Sequence, residues 1–445
     1  MDVNRRKFLQ CAATAGASLT LAACSDPASD AGPGGADGSG TLALPDGAYF
    51  EGLAGELAAA GHGTPQILID LDRLDANADA IVGDIGRERY RIVEKSLPSL
   101  DLLDYIRRRT GTDKFLVAHL PFLPALLAAF PTADVLIGKV QPTAAVLQFF
   151  QSVPAADRAA AAARVRFLVD SRPRLDELIA LAARLALKLQ VGVEIDVGLH
   201  RGGVRRPEAL PVVLAGFIAN PTQVGFAGML GYDGHVPFAP VVPGLEQAAL
   251  HAAYRAVAAT YQSFVEVLKS DFPSLWREDL VLNSGGSATY PLHHGGVVND
   301  VAAGGAMLRP ASYPDYLIGA LKPAVFIAAP VIAHFDTVEL PFVARVGAAL
   351  LDGKQSFTIY GGGWAARFVW PAGVDLAPLE NDPENLNLVP NQALLTAPSS
   401  PAIGSGDWIF QQPRVADAIF QFDRILLVRG GRLQPESFRS YPRRY

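Results

Sequence analysis

The chain has 445 residues but very little cysteine: only Cys11 and Cys24 are present, both near the N-terminus. The sequence after Cys24 has none, which excludes an intramolecular disulfide and a thiolate metal site in that part of the chain. A cysteine-free body suits an oxidising compartment as well as a reducing one. The location of the protein therefore has to be read from its N-terminus.

Basic residues are also few, with 38 Lys and Arg against 44 Asp and Glu, for a formal net charge of −6. No basic cluster of the kind that binds a phosphate backbone is present, so we expect no nucleic-acid partner. Half of the residues are hydrophobic and 18% are charged, so the chain can bury a large core.

The N-terminus has the features of an export signal. Arg5 and Arg6 precede a mildly apolar run, residues 11–23, that is well short of the ~20 residues that a membrane span needs. The arginine pair resembles a twin-arginine signal, which directs folded proteins across the membrane. Residues 21–24 resemble a lipobox, so we expect residues 1–23 to be removed and Cys24 to be lipidated. The alternative is an ordinary cytosolic N-terminus.

Residues 24–48 are predicted to be a flexible linker, because their first part consists largely of Ser, Asp, Ala, Pro and Gly. Such a segment buries too little apolar area to offset its ordering entropy. A lipidated cysteine followed by a spacer predicts a lipoprotein held on the periplasmic side of a membrane. No later stretch is long and apolar enough to span a bilayer.

Short β-branched runs then alternate with helical stretches, a pattern typical of βαβ units and a parallel sheet. Eight such runs predict a closed (β/α)8 barrel over residues 90–322. The eight predicted strands are 91–95, 114–118, 134–138, 166–170, 189–196, 225–231, 279–284 and 301–308.

The alternation of predicted strands and helices ends at about residue 323, after which strand-like runs and turns follow one another without a long helix. We predict that residues 323–445, together with residues 49–89, form a second, mostly β domain. The predicted strands are 66–71, 325–332, 337–346, 356–360, 407–410 and 425–429. The fold class is therefore α/β, a TIM-type barrel with a C-terminal β domain.

Chemistry-bearing residues follow the predicted barrel strands, where barrels of this type have their active sites. Lys95 ends the first strand, and residues 231–235 and 283–287 follow the sixth and seventh. Glycine-rich loops after the seventh and eighth strands commonly bind phosphate, to which Ser284, Ser287 and Thr289 add hydroxyl groups.

A lysine facing a phosphate site suggests a Schiff-base cofactor. Lys95 shares a strand face with Arg91 and Val93, and that face points inward in a barrel. A buried lysine amine loses its proton more easily and can attack an aldehyde. The alternative is a surface lysine.

The ordered motifs resemble the D-threonine aldolase and D-serine dehydratase family, which are pyridoxal-phosphate (PLP) barrels of the alanine-racemase type. The similarity runs from about Thr64 to Arg432. Its motifs are the segment ending in Lys95-Ser96, the acidic glycine-rich segment 194–204, the Gly-Tyr-x-Gly-His of 231–235 and the phosphate loop 284–290.

The resemblance implies roles for individual residues. Lys95 carries the cofactor, Arg201 lies near its phenolic oxygen and Tyr232 near its ring nitrogen. His235 and Trp364 are candidate substrate contacts, although a hairpin turn anchored by Trp364 is equally consistent. The resemblance also implies a homodimer. The phosphate is held by Ser284, Gly285, Gly286, Ser287, Gly304 and Gly305.

The chain departs from the family at the metal site. The family's pair is a His-x-Cys or His-x-Asp in a Pro-x-His context, and matching it to residues 389–394 puts Gln392 and Leu394 at the ligand positions. An amide is a poor zinc or manganese ligand and leucine is none, so a divalent metal is doubtful. His293 and His294 are possible substitutes, but adjacent loop histidines are more often solvated.

We interpret His119 and His334 as structural, and Asp417 as part of strand packing.

The leading hypothesis is a PLP-dependent lyase acting on a D-amino acid, with an aldolase or dehydratase reaction. Amino-acid racemisation is an alternative, but it needs a second acid or base that the sequence does not identify. A non-catalytic PLP or amino-acid-binding lipoprotein that has lost the metal site is a third reading.

Overall fold

The computed structural model of the protein describes residues 44–240, 244–313, 315–338, 353–377 and 391–441. The predicted signal peptide, Cys24 and most of the predicted linker lie outside these ranges. Residues 339–346 of one predicted strand also lie outside these ranges. The same is true of Val389 and Pro390 in the segment 389–394, which was matched to the family's metal motif.

Eight parallel strands form a closed barrel, which confirms the predicted fold class. The first strand of the chain, β1 (Gln66–Asp70), lies outside it. The barrel strands are β2 (Tyr90–Val93), β3 (Lys114–Val117), β4 (Asp134–Ile137), β5 (Val165–Val169), β6 (Leu189–Glu194), β7 (Val224–Leu230), β8 (Val281–Ser284) and β9 (Asp300–Ala303).

Helices cover the barrel and alternate with its strands. The helix that follows β1 is capped at its start by Asp70, whose carboxylate accepts hydrogen bonds from the backbone N–H groups of Asp72 and Arg73. No helix in the described ranges is both long and apolar enough to cross a membrane. The helices are α1 (Gly47–Ala59), α2 (Leu71–Ile85), α3 (Leu100–Thr110), α4 (Leu123–Ala129), α5 (Thr143–Ser152), α6 (Arg158–Arg164), α7 (Arg172–Leu185), α8 (Leu210–Ala219), α9 (Glu246–Asp271) and α10 (Asp315–Ile318).

A buried ion cluster fills the barrel near the amino ends of its strands. Arg91 is fully buried, and its Nε and Nη2 donate to the two carboxylate oxygens of Asp300 at 2.7 and 2.9 Å. Its Nη1 also lies 3.2 Å from Asp134 Oδ1. Because Arg91 is held by these partners, the buried charge is compensated. The expectation that its strand face points into the barrel therefore holds for Arg91.

Lys95 does not belong to that strand, contrary to the prediction of a strand over 91–95. β2 ends at Val93, and Lys95 lies in a 3₁₀ turn, Glu94–Ser96. Its side chain is exposed rather than buried. The eighth predicted strand is also shorter than expected, since β9 ends at Ala303 and a second 3₁₀ turn, Gly305–Leu308, follows.

The remaining strands build a mostly β domain with the strand order β13-β14-β11-β10-β1-β16-β17, to which β15 and β12 attach through β10. β1 is its only strand from before the barrel within the described ranges, and it pairs with β10 and β16. The other strands are β10 (Val325–Phe335), β11 (Lys354–Tyr360), β12 (Ala366–Trp370), β13 (Asp375–Leu376), β14 (Gln392–Pro398), β15 (Trp408–Pro413), β16 (Arg424–Arg429) and β17 (Arg432–Arg439).

The β domain contacts the barrel beside Lys95. The turn Glu94–Ser96 contacts the 3₁₀ segment Ala416–Gln421, which follows β15. On the same side, the ring of Phe122 stacks on Tyr441 with a centroid separation of 4.6 Å. This junction holds the lysine turn between the two parts of the fold.

Glu94 is buried in this junction without a partner. Its side chain has no exposed surface, and neither carboxylate oxygen has a hydrogen bond within the described part of the chain. Burial, with a smaller contribution from the charge of Asp417, raises the pKa of Glu94 to about 8. The carboxyl group is therefore neutral at pH 7 in the folded protein.

This pKa predicts a pH dependence of stability. The unfolded chain loses the Glu94 proton near pH 4.5 and the folded chain only near pH 8, so the free energy of unfolding should decrease as the pH rises between these values. Glu94→Gln removes this contribution. Urea unfolding at pH 5 and pH 9 should therefore show a larger loss of stability for the wild type than for E94Q. Equal losses would contradict the prediction.

Candidate functional site

A cavity of about 860 Å³ opens at the carboxyl ends of the barrel strands. This is the end of a barrel at which loops of different strands meet and active sites form. Six of the predicted site residues line this one cavity: Lys95, Arg201, Tyr232, Gly285, Gly286 and Ser287. The structure therefore brings together residues that lie up to 192 positions apart in the sequence.

Lys95 reaches the cavity from the turn after β2, and the barrel closes directly beside it. β2 pairs with β9, with Ile92 opposite Ala303. Gly304 follows β9, and a Cβ atom at Gly304 would lie 2.5 Å from the carbonyl oxygen of Val93. Only glycine permits this close approach of the two strand ends.

The loop after β8 forms one wall of the cavity. Gly285 has a φ of +90°, and a Cβ atom there would lie 2.9 Å from Val301. Ser287 Oγ accepts hydrogen bonds from the backbone N–H groups of Gly304 at 3.4 Å and Ala306 at 3.0 Å. These N–H groups converge on Ser287 Oγ and fix the position of this hydroxyl group in the cavity wall.

Two of the three hydroxyl groups predicted for the phosphate are committed to other partners. Ser284 is buried and donates to the carbonyl oxygen of Gly231 at 2.6 Å, and it does not line the cavity. Thr289 does line it but donates to Asp233 at 2.8 Å. Ser287 also lines the cavity, and its Oγ accepts the two N–H groups described above. Gly304 and Gly305, which were predicted to hold the phosphate, are not among the described residues that line the cavity.

His293 is buried rather than solvated, and both of its ring nitrogens have side-chain partners. Its Nε2 lies 2.8 Å from Asp233 Oδ2, while its Nδ1 lies 3.2 Å from the hydroxyl of Tyr254. Asp233 thus joins His293 to Thr289 in the loop after β8. This network fixes the glycine loop to the segment that carries Tyr232. His294 is exposed.

Arg201 and Tyr232 face each other across the cavity wall. The guanidinium carbon of Arg201 lies 5.0 Å from the centroid of the Tyr232 ring, a cation–π distance. Arg201 Nη2 also lies 3.2 Å from the buried carboxylate of Glu194. Burial raises the pKa of Tyr232, and the charge of Asp233 adds to this effect. Tyr232 is therefore a neutral phenol at physiological pH.

The cavity also contains residues that the sequence reasoning missed or assigned elsewhere. His119 and Asp417, interpreted above as structural and as strand packing, both line it, as do Lys139 and Tyr313. His119 and Lys139 each stand two residues beyond a barrel strand, β3 and β4. The strand-end rule, applied to all eight strands, would have found both.

These residues influence one another electrostatically. Burial lowers the pKa of His119, and the positive charges of Lys139 and Lys95 lower it further. Burial raises the pKa of Asp417, whereas the charge of Lys95 acts in the opposite direction. Burial also raises the pKa of Tyr313, which shares a hydrogen bond with Ser287. His119 is therefore neutral near pH 7, between two lysines.

The residues first matched to the family's metal pair lie elsewhere. Gln392 and Leu394 belong to β14, which pairs with β11 in the β domain, and neither lines the cavity. The cavity is lined instead by Val415, Ala416 and Asp417, which follow Pro413. This Pro-x-Val-x-Asp segment keeps the spacing of the family pattern, with valine in place of histidine.

The donor set at this position does not suit a metal. Val415 has no ligating atom, which leaves the carboxylate of Asp417 without its histidine partner. No group of three His, Cys, Asp or Glu side chains suitable for a metal ion occurs among the residues that the structure describes.

The two candidate substrate contacts do not line the cavity. Trp364 stacks on Phe422 with a centroid separation of 5.9 Å, and a Cβ atom at Gly361 would lie 2.7 Å from its ring. It is therefore the anchor of its turn. His235 lies behind the wall, with Nδ1 buried and without a partner in the described part of the chain. His334 is bonded to Gln355 in the β domain.

The residues present fit PLP. Lys95 supplies the amine, Ser287 and the glycine backbone supply a pocket that larger side chains would fill, and Arg201 and Tyr232 line the wall between them. The chemistry of this donor set matches an aldehyde, a phosphate and an aromatic ring.

Comparison with solved structures finds the same fold in several enzymes. D-threo-3-hydroxyaspartate dehydratase from Delftia sp. HT23 superposes with a TM-score of 0.64 at 18% identity, covering 86% of this chain and 98% of that one. D-threonine aldolase from Filomicrobium marinum gives 0.63 at 18% identity, covering 85% and 96%. Alanine racemase from Bacillus anthracis, with bound L-Ala-P, gives 0.59 at 16% identity, covering 85% and 98%.

Sequence comparison finds no significant match among curated proteins. The family model of the alanine racemase N-terminal domain, however, matches residues 69–308, which is more than half of the chain and spans the whole barrel. This family binds PLP, and enzymes of its fold include dehydratases and aldolases. The protein belongs to the alanine racemase N-terminal domain family.

Proposed function

We propose that this protein is a PLP-dependent enzyme that acts on D-amino acids, a lyase of the aldolase or dehydratase type. One observation carries the proposal: the amine of Lys95 lines the same cavity as the glycine loop at Gly285 and Ser287. A dehydratase and an aldolase for D-amino acids are among the solved proteins of similar fold, beside alanine racemases, and they motivate the choice of a lyase as the leading hypothesis.

The residues predicted to bind the cofactor each have a role in this proposal. Lys95 holds the cofactor through its amine, and Ser287 with the neighbouring backbone N–H groups holds the phosphate. Arg201 would contact the cofactor's phenolic oxygen, and the phenol of Tyr232 would contact its ring nitrogen. A neutral phenol at that position would leave the pyridine nitrogen largely unprotonated. Bound PLP withdraws electrons from the α-carbon of the amino acid.

The protein's own groups move the protons. The Nζ of Lys95, once free of the cofactor, is positioned to accept or return a proton at the α-carbon. Neutral His119 lies in the same cavity and can take a proton from a substrate hydroxyl group. An aldolase breaks the Cα–Cβ bond after this deprotonation, whereas a dehydratase expels the hydroxyl group from Cβ. Both reactions need a 3-hydroxy amino acid.

Two alternatives each rest on a specific residue. A racemase needs a second acid or base besides Lys95, and Asp417 is a carboxyl group in the same cavity. A non-catalytic amino-acid-binding protein would have lost the chemistry with the metal site, and Val415 at the family's histidine position favours this reading. The two alternatives and the lyase differ in what happens to the substrate.

The test uses protein that begins at Ser25, loaded with PLP and incubated with D-threonine or D-serine in deuterated water. The lyase predicts loss of the amino acid and formation of a carbonyl product. Retention of the amino acid with deuterium at the α-carbon would indicate a racemase, and a spectral change alone would indicate a binding protein. Lys95→Ala should abolish the visible absorbance of bound cofactor and all turnover. Lys188→Ala, an exposed lysine outside the cavity, is the matched control.

We also propose that the enzyme works on the periplasmic side of a membrane, attached through lipid on Cys24. The paired arginines Arg5 and Arg6 support export of the folded protein, which allows the cofactor to be loaded in the cytoplasm.

Substitution of the lipidated cysteine tests this location. Cys24→Ala should move the protein from the membrane fraction into the soluble periplasmic fraction, because the domain has no other proposed anchor. Arg5→Lys with Arg6→Lys should leave it in the cytoplasm. A wild-type protein found in the cytosolic fraction would contradict the proposal.

A further inference from the structure

One positively charged side chain that lines the cavity has no role in the proposed function. Its lining includes the cationic side chains of Lys95, Lys139 and Arg201. Lys95 is assigned to the cofactor, and Arg201 is paired with Glu194 at 3.2 Å and lies over Tyr232. The ammonium group of Lys139 has no ion pair or hydrogen bond with any residue that the structure describes. It is the unassigned positive charge of the site.

Lys139 is exposed to solvent, but it lines the cavity and its charge reaches another lining residue, His119. It follows β4 by two residues, next to the end of β3, whose own extension carries His119. The charge of Lys139 contributes to the lowered pKa of His119, after the larger effect of burial. The ammonium group therefore lies close enough to influence a partly buried ring in the cavity wall.

The charges of the cavity favour an anion on the side of Lys139. Asp417 is the only carboxylate among the described lining residues, and it comes from the β domain, whereas Lys139 comes from the barrel. An anionic group is repelled by Asp417 and attracted by Lys139. A ligand with one carboxylate is thereby given a preferred orientation.

We propose that Lys139 binds a carboxylate group of the amino-acid substrate. This inference rests on the proposed function, because it takes the ligand to be an amino acid held beside Lys95. A lysine ammonium and a carboxylate form a charge-assisted hydrogen bond, and removal of one such bond in a cavity weakens binding by about 10- to 100-fold. A merely solvated lysine at the cavity rim would have no such effect.

The carboxylate has two sources, the α-carboxylate that every amino acid carries or a second carboxylate in the side chain. The chemistry at Lys139 is the same for both. Loss of affinity for all amino acids in a Lys139 variant would identify the α-carboxylate. Loss confined to amino acids with an acidic side chain would identify the second carboxylate.

The test is a spectral titration of the PLP-loaded protein with D-serine, D-aspartate and ethanolamine. Lys139→Gln should bind at least one of the two amino acids about 10- to 100-fold more weakly than the wild type. It should bind ethanolamine, which has no carboxylate, equally well, and its cofactor absorbance should be unchanged. Lys139→Arg should restore most of the affinity. Lys188→Gln is the control for loss of an exposed lysine charge.

The outcomes separate this proposal from the proposed function. Wild-type affinity for both amino acids in K139Q would overturn the role of Lys139 while leaving the PLP enzyme intact. Loss of cofactor absorbance in K139Q would also overturn it, because Lys139 would then belong to the cofactor site. A wild-type protein that shows no cofactor absorbance would refute the proposed function itself, and the carboxylate site with it.

Discussion

The closure of the barrel between β2 and β9 is the constraint on which the site depends. These two strands are first and last in the barrel, and they pair in parallel with Tyr90 opposite Val301 and Ile92 opposite Ala303. The register brings the turn that carries Lys95 next to Gly304. The loop after β8 and Lys95 line the same cavity. A shift of this pairing would separate the amine from the phosphate wall.

The side chains around this constraint set the charges of the site. The segment after β15 keeps a carboxylate, Asp417, at the second position of the family's metal pair but has Val415 at the first. His119 and Lys139 meanwhile add an imidazole and an ammonium group at the ends of β3 and β4. The result is a cavity with several protein acids and bases around Lys95. The reaction proposed for this protein therefore relies on these side chains for proton transfer.

Much of the fold was predictable because its signals are local. Alternating apolar runs and helical stretches predict the eight strands, and the glycine motifs predict the phosphate loop. The boundaries were less accurate because they depend on tertiary contacts. Lys95 leaves its strand because the β domain holds residues 94–96 in a turn. The strands β12, β13, β14 and β17 were missed, because strand formation depends strongly on the neighbouring strands in the sheet.

The wrong predictions about site residues also arise from tertiary contacts. Residues 390–394 and residues 413–417 both have the spacing of the metal motif, a proline two positions before the first ligand position. Within the described part of the chain, only the second segment reaches the cavity, through Val415, Ala416 and Asp417, and the path of the chain decides this. Ser284 and Thr289 carry the hydroxyl groups expected at a phosphate, but the backbone of Gly231 and the carboxylate of Asp233 bind them first. Sequence motifs predicted which segments meet, whereas the hydrogen-bond partners decided which atoms remain available.

The central claim is that the amine of Lys95 carries the cofactor, and chemical trapping tests it directly. Borohydride reduces the bond between the amine and PLP and fixes the cofactor on its lysine. The account predicts that a tryptic digest of the reduced protein contains the peptide of residues 92–107 with the added mass on Lys95 and a missed cleavage there. The added mass on Lys139 or another lysine, or its absence from every peptide, would contradict the account.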